Sequence, residues 1–473
     1  MIYRLFFLLI VLSTFNTSVS SQQDALHLRV FSVNELLRDY DTLYKIITQN
    51  HPDLWAKSDS LNTEVFWRKT RAKITRPMKR WEFLELVAPV TTQYNDGHTA
   101  LSFDFDFEEV EDLTNRKGKL FPYRVKLYND TLWIIENWKD SSDLYKGSIV
   151  TSINHVPVND IIKRILPVIP ADHYRMKEAG FSRLFPFLLW SAYGWEKDYL
   201  IDCFDFSSNK PTLISTEGIT LDGFFSRQFP KRKWNLQLFN DQSLAIISCS
   251  GYNNYMEGIR FIDSAFAIIK QNNIKHLAFD IRNNGGGNSS IGDHLLNYVS
   301  TKPYMDVLSK TLRNGPMMQG FKQSSGMYRS MQNFIKNGTR NGSNYTIRFN
   351  SKQPDTTIKH ENRFAGNFYL LTSPITYSSA HMTALAVKSS GMGVIIGEPT
   401  GERIDLTGEN ATFKLPVTGL YGYCALALYE GAYSDKKSNG VPPDIFIPFQ
   451  PSNLLAGKDP VIERLLALVA TNK

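Results

Sequence analysis

Three short segments of this 473-residue chain hold residue types that together could break an acyl bond. The first is Thr376-Tyr377-Ser378-Ser379-Ala380, between an apolar strand and a helix. A serine hydroxyl at a helix N-terminus sits where the dipole and free N–H groups favour developing negative charge. Taken alone, the same serine reads as an ordinary helix cap. The second segment is Asp280-Ile281-Arg282-Asn283-Asn284-Gly285-Gly286-Gly287, at the end of a strand. Consecutive glycines let the backbone approach a ligand closely and aim N–H groups at it. That suits an oxyanion hole, although a plain strand-to-helix turn uses the same residues. A dinucleotide loop fails on spacing: Asp306 lies about 20 residues on, but Gly-x-Gly-x-x-Gly is absent. The third segment is Tyr94-Asn95-Asp96-Gly97-His98-Thr99, just past a helix. A histidine there can act as a general base near neutral pH, or simply pack. His381, three residues past Ser378, is a rival base on the same helix face. Lys388 lies about 15 Å up that helix and is out of reach.

The elements that must position these residues fall into three textures. Between residues 30 and 103 the pattern is helical. Ser32 and Glu35 form a capping box, and Leu36, Tyr40, Leu43 and Ile47 follow at helical spacing. Pro52 closes that helix, and further helical runs cover 65–74 and 81–92, suggesting a small bundle. From 120 to 206 the chain reads as strands at 132–135 and 148–153, with a turn at Asn154-His155. From 235 to 450 strands and helices alternate: strand 243–247, helix 255–271, strand 276–281, helix 291–299, strand 368–371, a helix from Ser378, strand 394–396. That order argues an α/β fold with sheets buried on both faces. The polar stretch 313–363 reads as a long excursion or lid outside the core.

Together and in this order, the glycine loop, the Thr376–Ala380 turn, Gly397-Glu398-Pro399-Thr400-Gly401 and Asp96-Gly97-His98-Thr99 resemble the carboxyl-terminal processing peptidases and the related tricorn-type peptidases. The resemblance covers roughly residues 30–450. It implies an α/β catalytic core, crotonase- or ClpP-like and built of ββα units, at 235–473. It also implies an N-terminal helical bundle at 22–110, and a PDZ-like module with its connector at 111–234. The run Lys146–Asn154 is similar to the core of a PDZ domain, beside the groove that takes a peptide's carboxyl terminus. The resemblance further implies Ser378 as nucleophile, with an oxyanion hole made by the N–H groups of Gly286 and Ser379. The processing branch uses a lysine base, whose place is taken here by Arg403, and arginine stays protonated. The tricorn-like branch uses a histidine from the helical side, and His98 matches it. His98 is therefore expected to take the proton of Ser378. In that branch a glutamate lies shortly before Gly-Val-x-Pro-Asp. Here Gly440-Val441-Pro442-Pro443-Asp444 follows Lys437 at that place, so Asp435 is the expected orienting acid, with Glu430 as its substitute.

The bulk composition agrees with such an enzyme. Arg4, the apolar run Leu5–Phe15 and the small residues up to Ser21 read as a signal peptide at 1–21, cut before Gln22. The expected location is therefore outside the cytoplasm, periplasmic or extracellular. The remaining length of about 450 residues suits two to four domains. No run is long and apolar enough for a membrane span. Net charge is +7, but the basic residues are scattered and carry no nucleic-acid motif. Cys203, Cys249 and Cys424 are too few for a disulfide scaffold, and the latter two read as buried small hydrophobes. The expected function is an exported serine peptidase acting on peptides or proteins without cofactor or metal. The oligomeric state stays open. The departures at Arg403 and Lys437 motivate an alternative, a peptidase-like body that binds peptides or apolar ligands without turnover. Acyl transfer on thioesters rests on fold analogy alone.

Overall fold

The computed structural model describes residues 29–102, 108–140, 142–229, 233–320, 326–353 and 363–471. The expected signal peptide at 1–21 lies outside the described residues.

The first helix, Val33–Asn50, starts where its cap predicts. The Glu35 side chain accepts the Ser32 N–H at 2.8 Å, and the Ser32 hydroxyl accepts the Glu35 N–H. Helices Ser60–Ala72 and Arg80–Thr91 follow. Leu36, Tyr40, Leu43 and Ile47 form one buried stripe against Trp67, Phe83 and Val87. The Asp39 carboxylate, on the same helix, is fully buried. It accepts the N–H groups of Val417 at 3.0 Å and Thr418 at 2.7 Å, which ties the helices to the far end of the chain.

The middle of the chain forms an antiparallel sheet with strands in the order 210–217, 198–205, 149–153, 131–137 and 123–128. The turn at Asn154-His155 is left-handed, with φ of 47° and 65°. The helix Tyr174–Tyr193 packs Phe181, Phe185 and Leu189 onto this sheet. Its pattern is blurred in the sequence by an internal proline, Pro186, and by apolar residues around most of its circumference.

The last part holds a six-stranded sheet in the order 234–239, 244–249, 276–280, 367–372, 394–397, 445–446. The first pair is antiparallel and the rest are parallel. Side chains alternate strictly between two cores. Ala245, Ile247, Leu277, Phe279 and Leu370 meet the helices 255–271, 289–299 and 379–390. Leu244, Ile246, Ala278, Tyr369 and Leu371 meet the helix Pro460–Thr471. Burial on both faces explains why these strands read as continuous apolar runs.

A second sheet contains strands 307–313, 344–348, 406–414 and 421–431. Residues 326–348 were expected to be an excursion. They form a helix, Gly326–Asn337, and two strands, the second paired with Val307–Arg313. Their polar composition reflects half-exposed side chains at the sheet's edge. The short strand Ala100–Ser102 pairs with Tyr421–Tyr423 of the same sheet. This pairing carries the Asp96–Thr99 turn from the helical part of the chain to the last one. Among the described residues, no helix is long and apolar enough to cross a membrane.

Candidate active site

The strand Asn367–Thr372 ends in a turn bound tightly to the neighbouring glycine loop. The Ser373 hydroxyl donates to the Arg282 carbonyl at 2.5 Å, and the Thr376 hydroxyl to the Ile281 carbonyl at 2.9 Å. The Tyr377 N–H donates to the Asn284 carbonyl at 3.1 Å. Ser378 follows with φ 53° and ψ −126°, and the helix Ser379–Ser390 begins at the next residue. A non-glycine residue in this region costs about 1–3 kcal/mol, so the surroundings must over-determine it. Part of that restraint is a hydrogen bond from the Ser378 N–H to Glu402 Oε2, 2.8 Å long. A sharp strand–turn–helix of this kind lifts a side chain off the end of a sheet. Ser378 is half-buried, and its Oγ has no hydrogen-bond partner among the described residues.

The glycine loop lies directly against this serine. Gly286 has φ of 99°, and a Cβ there would fall 2.7 Å from Ser378 Cβ and 3.0 Å from the Ser379 nitrogen. Only glycine fits. The two expected oxyanion donors differ in state. The Ser379 N–H, at the start of its helix, has no acceptor among the described residues, whereas the Gly286 N–H donates to Asn284 Oδ1 at 2.9 Å.

His98 is 7% exposed and stacks on Tyr377, with ring centroids 4.7 Å apart. Its Nδ1 lies 3.2 Å from Glu402 Oε1, 3.1 Å from Tyr377 Oη and 3.4 Å from Thr407 Oγ1. The tautomer follows from proton counting. The Tyr377 hydroxyl has one proton, and it goes to Asp172 Oδ1 at 3.0 Å. Thr407 likewise gives its proton to Asp96 Oδ1 at 2.5 Å. Everything facing Nδ1 is therefore an acceptor, Nδ1 carries the hydrogen, and neutral Nε2 keeps its lone pair. Nε2 has no hydrogen-bond partner among the described residues. Burial by itself would lower the pKa of His98, but the charge of Glu402, with Asp96 and Asp172 behind it, raises it overall.

One carboxylate thus joins both halves of the site: Glu402 holds the Ser378 backbone with one oxygen and faces the His98 ring with the other. Glu402 is fully buried, and burial raises its own pKa against the opposing pull of His98. A second layer of charge backs this one. Asp172 accepts from the Gly97 N–H at 2.9 Å and pairs with Lys57 Nζ at 2.5 Å. Asp96 accepts the His98 N–H at 2.8 Å, and its other oxygen meets His51 Nε2 at 2.9 Å. Gly97 is required between them, because a Cβ there would overlap the Tyr377 hydroxyl and come within 2.9 Å of Met176 Cε.

The structure therefore sets Gly286 against Ser378 and Ser379 and links that serine to His98 through Glu402, and it does not bring Asp435 there. Asp435 sits in an exposed turn and accepts the Lys437 N–H at 3.2 Å. Glu430 accepts the Ser309 hydroxyl at 3.0 Å. The acid beside His98 is Glu402 instead, because the chain turns back at Thr400–Arg403 directly under the serine. His381 is fully buried and bonded to Thr400 Oγ1 at 2.8 Å, and burial pushes its pKa down to about 3. Lys388 pairs with Asp444. Arg403 is half-buried beside the site, with its Nε unpaired among the described residues. Glu402, Tyr377 and Asp172 escaped sequence reasoning. The only available signal was that Glu402 directly follows Gly397–Gly401, and Tyr377 directly precedes the serine.

Residues 244–447 match the family model described as peptidase family S41. The chain carries an S41 peptidase domain. No curated protein sequence matches the chain. Among solved structures, a mutant of CPAF superposes with a TM-score of 0.71 at 12% identity, covering 93% of this chain and 97% of that one. Mature CPAF complexed with lactacystin gives a TM-score of 0.66 at 13% identity, covering 93% and 98%. At this identity the likeness is one of fold. It extends beyond the S41 segment over nearly the whole of both chains.

Proposed function

We propose that the protein is an exported serine peptidase in which Ser378 attacks the peptide carbonyl and His98 acts as general base. The observation that carries this reading is the Glu402 bridge, which fixes the strained serine and the imidazole on two oxygens of one carboxylate. His98 Nε2 takes the Ser378 proton, and Glu402 stabilises the imidazolium that forms. The ring then returns the proton to the leaving amine, and water releases the acyl-enzyme. Ser378 Oγ and His98 Nε2 are both unpartnered, which fits a contact that tightens only when substrate is bound. The Ser379 N–H and the glycine loop supply the oxyanion donors. For Gly286 this requires its N–H to leave Asn284 Oδ1, a short local rotation. The parallel-strand core fits a crotonase- or ClpP-like architecture. The antiparallel sheet of 111–234 fits a PDZ-like module that presents peptides.

A fluorophosphonate probe tests the assignment. Wild type should be labelled covalently, and Ser378→Ala should not. Equal labelling of the two would refute Ser378 as nucleophile. Peptide binding without labelling or hydrolysis would instead favour the binding-protein alternative. Export is tested by the N-terminus of the mature protein, expected at Gln22.

A further inference from the structure

Arg183 lies on the helix Tyr174–Tyr193, on the face that borders the active site. Met176, two turns earlier on that face, reaches both the His98 turn and the Glu402 turn: its Cε is 2.9 Å from a Cβ at Gly97, and its Cγ 3.4 Å from one at Gly401. Arg183 reaches the other side of the site, with Nη1 3.7 Å from a Cβ at Gly285. Gly285 is exposed and immediately precedes Gly286, the glycine pressed against Ser378. Arg183 is half-buried, yet makes no ion pair or hydrogen bond with any described residue. Its guanidinium only approaches the Phe229 ring, at 5.4 Å from the centroid. Arg282 is paired with Asp280 and Asp459, and Arg175 with Glu178; Arg403, on the Glu402 side of the site, has its Nε unpaired among the described residues. A guanidinium withdrawn from water without an anion is costly, and planar carboxylates are the ligands it fits best.

We infer that Arg183 is a specificity residue that binds a carboxylate of the substrate peptide, within a residue or two of the scissile bond. The inference rests on the peptidase reading of Ser378. The carboxylate has two sources, an acidic side chain or the free carboxyl terminus. Both present the same planar anion to the guanidinium.

The test is a synthetic peptide library made once with free and once with amidated C-termini. It is digested by wild type, Arg183→Met, Arg183→Lys and Arg183→Glu, and cleavage sites are read by mass spectrometry. Wild type is expected to enrich Asp or Glu near the cut in both libraries, or else to prefer free termini in the acid library alone. Each outcome identifies the source. Arg183→Met should reduce that preference about 10- to 100-fold, the usual range for one charge-assisted contact. Arg183→Lys should keep part of it, which also shows that the site folds. Arg183→Glu should turn it toward Lys and Arg. Identical cleavage spectra for wild type and Arg183→Glu overturn the inference and leave the peptidase reading standing. If wild type cuts neither library, the peptidase reading falls first. Retention of the libraries on immobilised Ser378→Ala, with and without Arg183→Met, then decides the inference. Equal retention of acidic and neutral peptides by the two overturns it.

Discussion

Replacing Glu402 by glutamine separates the acid seen beside His98 from the acid expected at Asp435. The substitution keeps size and shape but removes one acceptor. Ser378 N–H demands the amide oxygen, because it donates to this side chain at 2.8 Å. The amide NH2 is then turned toward His98 Nδ1, 3.2 Å from the oxygen it replaces. A donor facing Nδ1 favours the opposite tautomer, with the hydrogen on Nε2, where it blocks proton abstraction. A wrongly protonated catalytic histidine lowers kcat by about 10³–10⁴-fold, or about 4–5.5 kcal/mol at the transition state. The pH profile gives an independent reading. Glu402 is what lifts the His98 pKa against burial. The acid limb of kcat/KM in wild type should therefore lie above that of an ordinary histidine, with activity appearing as pH rises through it. In Glu402→Gln the imidazolium loses its counter-charge, so the limb moves to lower pH even as the plateau falls. Asp435→Asn, in an exposed turn, should leave kcat/KM within about twofold of wild type. Steady-state kinetics on one quenched-fluorescence peptide measure all three proteins, with a melting curve as folding control. Full activity in Glu402→Gln alongside collapse in Asp435→Asn would refute the reasoning, as would an unmoved acid limb.

Other expectations follow from the layer behind the site. Lys57 and Asp172 have side chains 5% and 0% exposed, so Lys57→Met should cost about 3–5 kcal/mol by stranding a buried carboxylate. Lys57→Met with Asp172→Asn should recover most of this in a denaturant titration, since asparagine still accepts from Gly97 and Tyr377. The pair holds the Lys57 pKa above its ordinary value despite burial, so its stabilisation is present through the neutral range and is lost only as pH rises through that raised value. Gly97→Ala should displace Tyr377 and the stacked His98, lowering kcat about 100-fold with little change in KM. The three thiols are buried, and burial pushes Cys203 up to about 11 and Cys249 up to about 12. A thiol reagent should therefore modify them only after unfolding.

Much of the architecture was legible because local chemistry and tertiary packing agree. The capping box at Ser32 and Glu35 marks a true helix start, and the helix read at 255–271 spans Tyr255–Gln271. The buried parallel strands announce themselves as apolar runs. Tyr174–Tyr193 was not legible: apolar on several sides and interrupted by Pro186, it has no single face for a periodic pattern to display. The second sheet was obscured because its hairpin is polar and half-exposed. At the site, Ser378, Gly286 and His98 stood in recognisable runs. Glu402 did not, because its position beside His98 comes from a fold-back beneath Ser378 that spacing along the chain does not encode. Asp172 and Lys57 are farther still from any motif, being 115 residues apart in sequence.

The strand pairing that delivers His98 also sets a clock. His98 and the tyrosine it stacks on are 279 residues apart, and the strand Ala100–Ser102 finds its partner at Tyr421–Tyr423. During synthesis nothing resembling the complete site exists until the last tenth or so of the polypeptide has been made. A prematurely terminated chain or an early fragment lacks the partner strand, so the histidine stays undocked. The complete site is in this way withheld from any copy that stops short of that strand, simply by the order in which the residues are joined.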